Sequence, residues 1–136
     1  MGKIIALDFG QVRTGIAVTD DLQLIASGLT TVETKELLTF LQEYIDKEEI
    51  DGIVIGEPKQ MDGSMSEAER YIQPFIEKIK NSFPTIPIQR QDERFTSKMA
   101  IHSMVTGGMK KKKRKDKSMV DKISATLILQ AYLDRI

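Results

Sequence analysis

The sequence predicts a single α/β domain, a mixed sheet with helices on its faces. Three features point there. A short apolar, mostly β-branched run opens the chain, two more strand-like runs follow it closely, and from Thr34 onward segments of helical period alternate with short apolar strands. At 136 residues the chain fits one domain, residues 1–136, and is too short for a two-lobed enzyme.

Each element follows from its local pattern. Residues 3–7 (KIIAL) read as a buried central strand with Asp8 at its end. Residues 15–19 and 25–32, separated by the turn acids Asp20 and Asp21, complete an antiparallel meander. Leu37, Leu38, Leu41, Tyr44 and Ile45 then share one stripe of a helix reaching about Lys47. Ile53 to Ile55 is a short buried strand ending at Gly56. After a loop with Pro58 and the turn pair Asp62-Gly63, Ser66 and Glu69 have capping-box spacing for a helix to about Phe83. Pro84 and Pro87 bracket the turn into a strand at 86–89, which leads to Asp92-Glu93. Thr96 or Ser97 can cap a third helix to about Val105, and residues 119–135 form the last one.

Composition excludes several classes. With 40% hydrophobic and 29% charged residues the chain can bury a core and is not a disordered tail. The absence of cysteine rules out disulfides, thiolate metal sites and a cysteine nucleophile. The N-terminal residues have no signal-peptide pattern, and no stretch approaches the roughly 18 apolar residues of a membrane span. The expected location is therefore the cytoplasm, away from membranes.

The formal net charge is zero, with 20 basic and 20 acidic residues, yet the charge is segregated. Residues 110–117 read KKKKRKDK, net +6, which leaves −6 on the rest. The run Lys110, Lys111, Lys112, Lys113, Arg114 and Lys115 is expected to form an exposed, flexible loop between ordered elements that can meet phosphates.

Three acids stand out by placement. Asp8 follows the first buried strand, Glu93 follows the last, and Asp121 lies in the first turns of the final helix. In an α/β sheet the carboxyl ends of neighbouring strands lie at one edge, where ligands bind, and a helix crossing that edge can add a third acid. Converging carboxylates require a cation, and oxygen ligands of this type select Mg²⁺ or Mn²⁺, which catalyse attack of water on phosphodiesters. Each acid also has an ordinary alternative: Asp8 as a turn cap, Glu93 as a loop acid, Asp121 as a complement to the helix dipole. Ser124 and Ala125, one turn after Asp121, would leave room beside it for a substrate or metal.

Four segments closely resemble YqgF/RuvX proteins: ALDFGQVRTGIAVTD at 6–20, IGEPKQMDGSMSE at 55–67, QDERFTS at 91–97 and KSMVDKISATLILQAYLD at 117–134. That family is assigned both as Holliday-junction resolvases and as nucleases processing the 5′ end of pre-16S ribosomal RNA. The resemblance implies a ribonuclease H-like fold, a five-stranded mixed sheet flanked by helices, with the family's acids on Asp8, Glu93 and Asp121. It also matches Gly10 and Gly15 to hairpin glycines where a bare backbone would approach a phosphate. Arg13, Arg94 and Thr96 match further nucleic-acid-binding positions. Asp62, Gly63 and Ser64 match a central loop, and Glu57 departs from the usual apolar residue before the proline.

The expected function is thus a Mg²⁺- or Mn²⁺-dependent endonuclease acting on a pre-16S ribosomal RNA leader, as a monomer or homodimer. Within the class the alternative is resolution of four-way DNA junctions, which needs a dimer presenting two sites. A non-catalytic nucleic-acid-binding module is an alternative of another class. The opening DFGxxxTGIAV also resembles the first phosphate loop of actin-like ATPases and sugar kinases, whose second lobe has no room here. His102, within the expected third helix, has no acid spaced to partner it, and the methionines read as core filler.

Overall fold

A computed structural model of the chain describes residues 2–60, 62–93 and 117–136, with side chains of the last segment from Met119 onward. The expected third helix, His102, Arg94, Thr96 and the basic run 110–115 lie outside the described residues.

The elements are β1 (Lys3–Asp8), β2 (Arg13–Thr19), β3 (Ala26–Glu33), a 3-10 turn (Thr34–Glu36), α1 (Leu37–Lys47), β4 (Ile50–Glu57), α2 (Glu69–Ser82), β5 (Ile88–Asp92) and α3 (Lys117–Arg135). The strands form one five-stranded sheet in the order β3-β2-β1-β4-β5. β1 pairs antiparallel with β2, and β2 with β3, completing the expected meander, while β1–β4 and β4–β5 are parallel. Asp20 closes the β2–β3 turn by accepting from the N–H groups of Leu24 (2.8 Å) and Ile25 (3.0 Å).

Strand alternation divides the core in two. Ile5 and Leu7 of β1, Ile16 of β2 and Ile53 and Ile55 of β4 pack against Leu37 and Leu41 of α1 and Ile72, Phe75, Ile76 and Ile79 of α2. Their neighbours Ile4, Ala6, Ala17 and Val54 face the other way, onto Ala125, Ile128 and Leu129 of α3. Ser124 and Ala125, expected to leave room for a ligand, are instead buried on the stripe of α3 that lies against the sheet. Among the described residues no helix is long and apolar enough to cross a membrane.

The start of α2 departs from the expected capping box. Ser66 Oγ accepts from the Ala68 N–H (3.2 Å), but the Glu69 carboxylate does not reach back to the Ser66 N–H, which donates to the Pro58 carbonyl (3.3 Å). Glu69 instead pairs with Arg90 of β5, its Oε1 lying 2.7 Å from Nη2. Arg90 also donates from Nε to the Ile55 carbonyl (3.2 Å) and from Nη2 to the Gly56 carbonyl (2.9 Å). One guanidinium thereby ties β5 to the end of β4 and the start of α2.

Candidate active site

The three acids stand on three different elements, Asp8 at the end of β1, Glu93 after β5 and Asp121 on α3. Asp8 follows Ala6 by two positions on β1, so its side chain projects to the α3 side of the sheet. Glu93 comes directly after β5, its N–H donating to the Glu57 carbonyl at the end of β4 (3.2 Å). Its carboxylate folds over Gly56, where a Cβ would overlap Glu93 Oε2 and Ile128 Cδ1. Asp121 precedes Ala125, Ile128 and Leu129 on the buried stripe of α3.

Glycine sets the height at which α3 rides over the sheet. Gly15 is opposite Asp8 in the β1–β2 ladder, and a Cβ on it would overlap the Asp121 carbonyl. On β3, a Cβ on Gly28 would lie 2.8 Å from Cγ of Lys122. Gly15, matched in the sequence to a phosphate approach, thus makes room for the helix backbone that carries the third acid. The space beside Gly10 is taken by the Arg13 carbonyl, 2.5 Å from where a Cβ would stand. Thr34 Oγ1 donates to the Gly10 carbonyl (2.5 Å) and lies 2.9 Å from the Thr14 hydroxyl, fixing the β1–β2 loop to the 3-10 turn.

The electrostatics report the same proximity. Burial, and then the charge of Asp121, raise the Asp8 carboxyl to about 7. Burial, and then the charge of Asp8, raise Glu93 to about 8, against the opposing pull of Arg90. Asp8 is the middle member of a line of three carboxylates, each felt by the next.

Arg13, expected to hold phosphate, has a carboxylate for a partner here. Its Nε donates to Asp121 Oδ2 at 3.2 Å, in a pair whose side chains are 36% and 25% exposed. Among the described residues no group of three His, Cys, Asp or Glu side chains is close enough to share a metal ion. Glu57, the departure noted in the sequence, pairs with Lys59 at 3.3 Å. Asp62 Oδ1 accepts from the Ser64 N–H (2.9 Å) and hydroxyl (2.7 Å), and Gly63 has φ 93°, so the loop triplet is a local turn.

Sequence reasoning missed Gly28, Gly56, Thr14, Thr34 and the Glu69–Arg90 pair. Glu69 carried a signal, being an acid at the margin of an apolar helix face, but its partner is a strand away. Paired bare positions opposite Asp8 and beneath Glu93 become visible only once the strand register is known.

Comparison with known proteins agrees with this architecture. A family model described as "RuvX: Holliday junction resolvase" matches residues 2–135. A protein of Christiangramia forsetii with the provisional name pre-16S rRNA nuclease is 56% identical over 133 residues, 98% of each chain. One of Flavobacterium psychrophilum with the same name is 53% identical over 135 residues, covering 99% of this chain and 98% of the other. Among solved structures, fowlpox virus resolvase in complex with Holliday junction DNA aligns with TM-score 0.61 at 13% identity, covering 98% of this chain and 97% of that one. The RuvC of T. thermophilus in complex with a Holliday junction aligns with TM-score 0.57 at 16% identity, covering 99% and 96%. At such identities the likeness establishes the fold, which is ribonuclease H-like.

Proposed function

Because the chain belongs to the RuvX family of Holliday junction resolvases, we propose that it is a metal-dependent phosphodiester hydrolase of the cytoplasm that processes the 5′ end of pre-16S ribosomal RNA. The observation that carries this is the line Asp121–Asp8–Glu93, in which burial and mutual repulsion raise two carboxyls to about 7 and about 8. Partly buried acids crowded in this way gain most from a divalent cation. The choice of RNA follows the names of relatives more than 50% identical over nearly the whole chain.

The donor set fits Mg²⁺ or Mn²⁺ in chemistry, being hard oxygens only, and one or two carboxylates suffice to hold Mg²⁺ when substrate phosphate completes the shell. Asp8 and Glu93 would hold the metal, and Asp121 would join on leaving Arg13. When bound, such ions activate the attacking water and stabilise the leaving oxygen. Arg13, at the rim, neutralises Asp121 in the free protein and, once released, is placed to hold a phosphate. Gly10, Arg94, Thr96 and the run from Lys110 to Lys115 supply further backbone contacts, which add affinity without sequence preference.

The test is a parallel assay of the full chain on a precursor ribosomal RNA leader and a four-way DNA junction, with Mg²⁺, Mn²⁺ or EDTA. Metal-dependent cutting in the leader is expected. Symmetrical cutting of the junction alone would favour the second reading, junction resolution by a homodimer, which the family description supports. Binding without cutting of either would leave a non-catalytic module.

The raised acids also set a pH dependence. Folded Glu93 holds its proton up to about pH 8, whereas an unfolded glutamate releases it near its ordinary value of 4.5. The folded state therefore binds more protons across that interval, and stability falls as pH rises through it. In EDTA, Glu93→Gln is expected to melt well above wild type at pH 9, a gain on the order of 4–5 kcal/mol. The gain should shrink to about 1 kcal/mol near pH 5, where little of the penalty has built up. A difference that does not vary with pH would show that Glu93 is not held protonated by its surroundings.

A further inference from the structure

The edge of the sheet that bears the acids also opens, on its other face, into a recess of about 400 Å³ between the 3-10 turn, α1 and α2. Its floor includes Phe9, the residue after Asp8, whose ring lies 5.0 Å from that of Phe75. On its wall stands Tyr71, 45% exposed, and Pro74 and Lys78 continue the same stripe of α2. Exposed aromatic surface beside a cavity is what a stacking partner requires. Two cations line the recess. Lys78 makes no ion pair among the described residues, and Lys35 meets exposed Glu33 at 3.2 Å, a pair weak enough in water to yield to a phosphate.

The volume lies in the range of small-ligand sites. A nucleotide matches this lining better than an apolar peptide would, because the recess offers an aromatic face and ammonium groups together. Phe9 is one Cα step of about 3.8 Å from Asp8. A strand with a phosphate at Asp8 has only to turn past Gly10 and Gln11 to enter it.

We propose that this recess takes one unpaired nucleotide of the substrate strand, its base stacked on Tyr71 and its phosphate held by Lys78 and Lys35. The proposal rests on the nucleic-acid reading above and sharpens the substrate class: beside the cleavage point the strand must be single, since a base within a duplex has no free face to stack.

The test uses a 5′-fluorescein, mixed-sequence single-stranded RNA of roughly 12 nucleotides, with fluorescence anisotropy in EDTA, and a set of the same RNA with one abasic position each. Tyr71→Ala is expected to weaken binding roughly 5- to 150-fold, and Tyr71→Phe, which keeps the ring, to restore it. One abasic position should weaken binding by wild type to a similar extent and leave Tyr71→Ala unaffected. Lys78→Ala should lower the salt slope of the affinity by about 0.7. Unchanged affinity of Tyr71→Ala, with circular dichroism showing it folded, would overturn the proposal, and so would an abasic penalty that persists in that variant. In either of those cases wild type still binds RNA, so the nucleic-acid reading stands. Failure of wild type to bind any of the RNAs would overturn both.

Discussion

Asp8→Asn is expected to reduce metal-dependent cleavage by well over ~10²-fold while leaving the fold and RNA affinity near wild type. Removing an outer-shell partner of a metal site costs about 10–100-fold, so removing the central ligand must cost more. The amide keeps the carboxylate's shape in its half-buried place on the α3 side of β1 but carries no charge to hold a cation. It also relieves the repulsion felt by Glu93 and part of the repulsion on the incoming phosphate, so binding has no reason to weaken. Single-turnover cleavage of the RNA leader measures the first effect, and anisotropy in EDTA the second. Cleavage within about threefold of wild type would remove Asp8 from the metal-binding set, and with it the proposed chemistry.

Glu69→Ala is expected to destabilise the protein by about 3–5 kcal/mol, the largest effect anticipated for a residue outside the acid line. The Glu69 side chain is 9% exposed and that of Arg90 20%, so removing the carboxylate leaves a guanidinium charge largely out of water without its partner. Arg90 cannot swing away without also releasing the Ile55 and Gly56 carbonyls at the end of β4. Glu69→Gln, which keeps an oxygen on Arg90, should lose about half as much. A double change of Glu69→Leu with Arg90→Met should recover much of the loss, because an apolar pair has no charge to desolvate. Urea denaturation measures all three. A loss under about 1 kcal/mol for Glu69→Ala would mean that water already screens the pair.

The sheet was largely legible from the sequence because its strands are marked locally. The apolar run at 3–7, the turn acids Asp20 and Asp21, and the proline bracket before Ile88 each announce an element within a few residues. The rule that carboxyl ends of neighbouring strands share one edge was enough to put Asp8 and Glu93 on the same side of the sheet. The contacts that were not legible are those that depend on residues distant in the chain. Glu69 had the spacing of a capping box, but a half-buried guanidinium 21 residues away competes successfully for its carboxylate. Arg13 had the look of a phosphate ligand, yet its partner is 108 positions further on. Gly15 was matched to a phosphate approach and Gly56 read as a strand end, because only the folded register shows what would collide with their missing side chains.

The position of α3 in the chain sets the order in which the site can come into being. A growing chain carries Asp8 and Glu93 well before Asp121, and at about 5–20 residues per second the interval is on the order of seconds. During it the sheet can already close onto α1 and α2, while the opposite face, with Ala6, Ala17 and Val54, still awaits its cover. The third acid arrives on the helix that provides that cover. Burial of the second half of the core and completion of the acid line are one folding event, so a partly synthesised chain has neither.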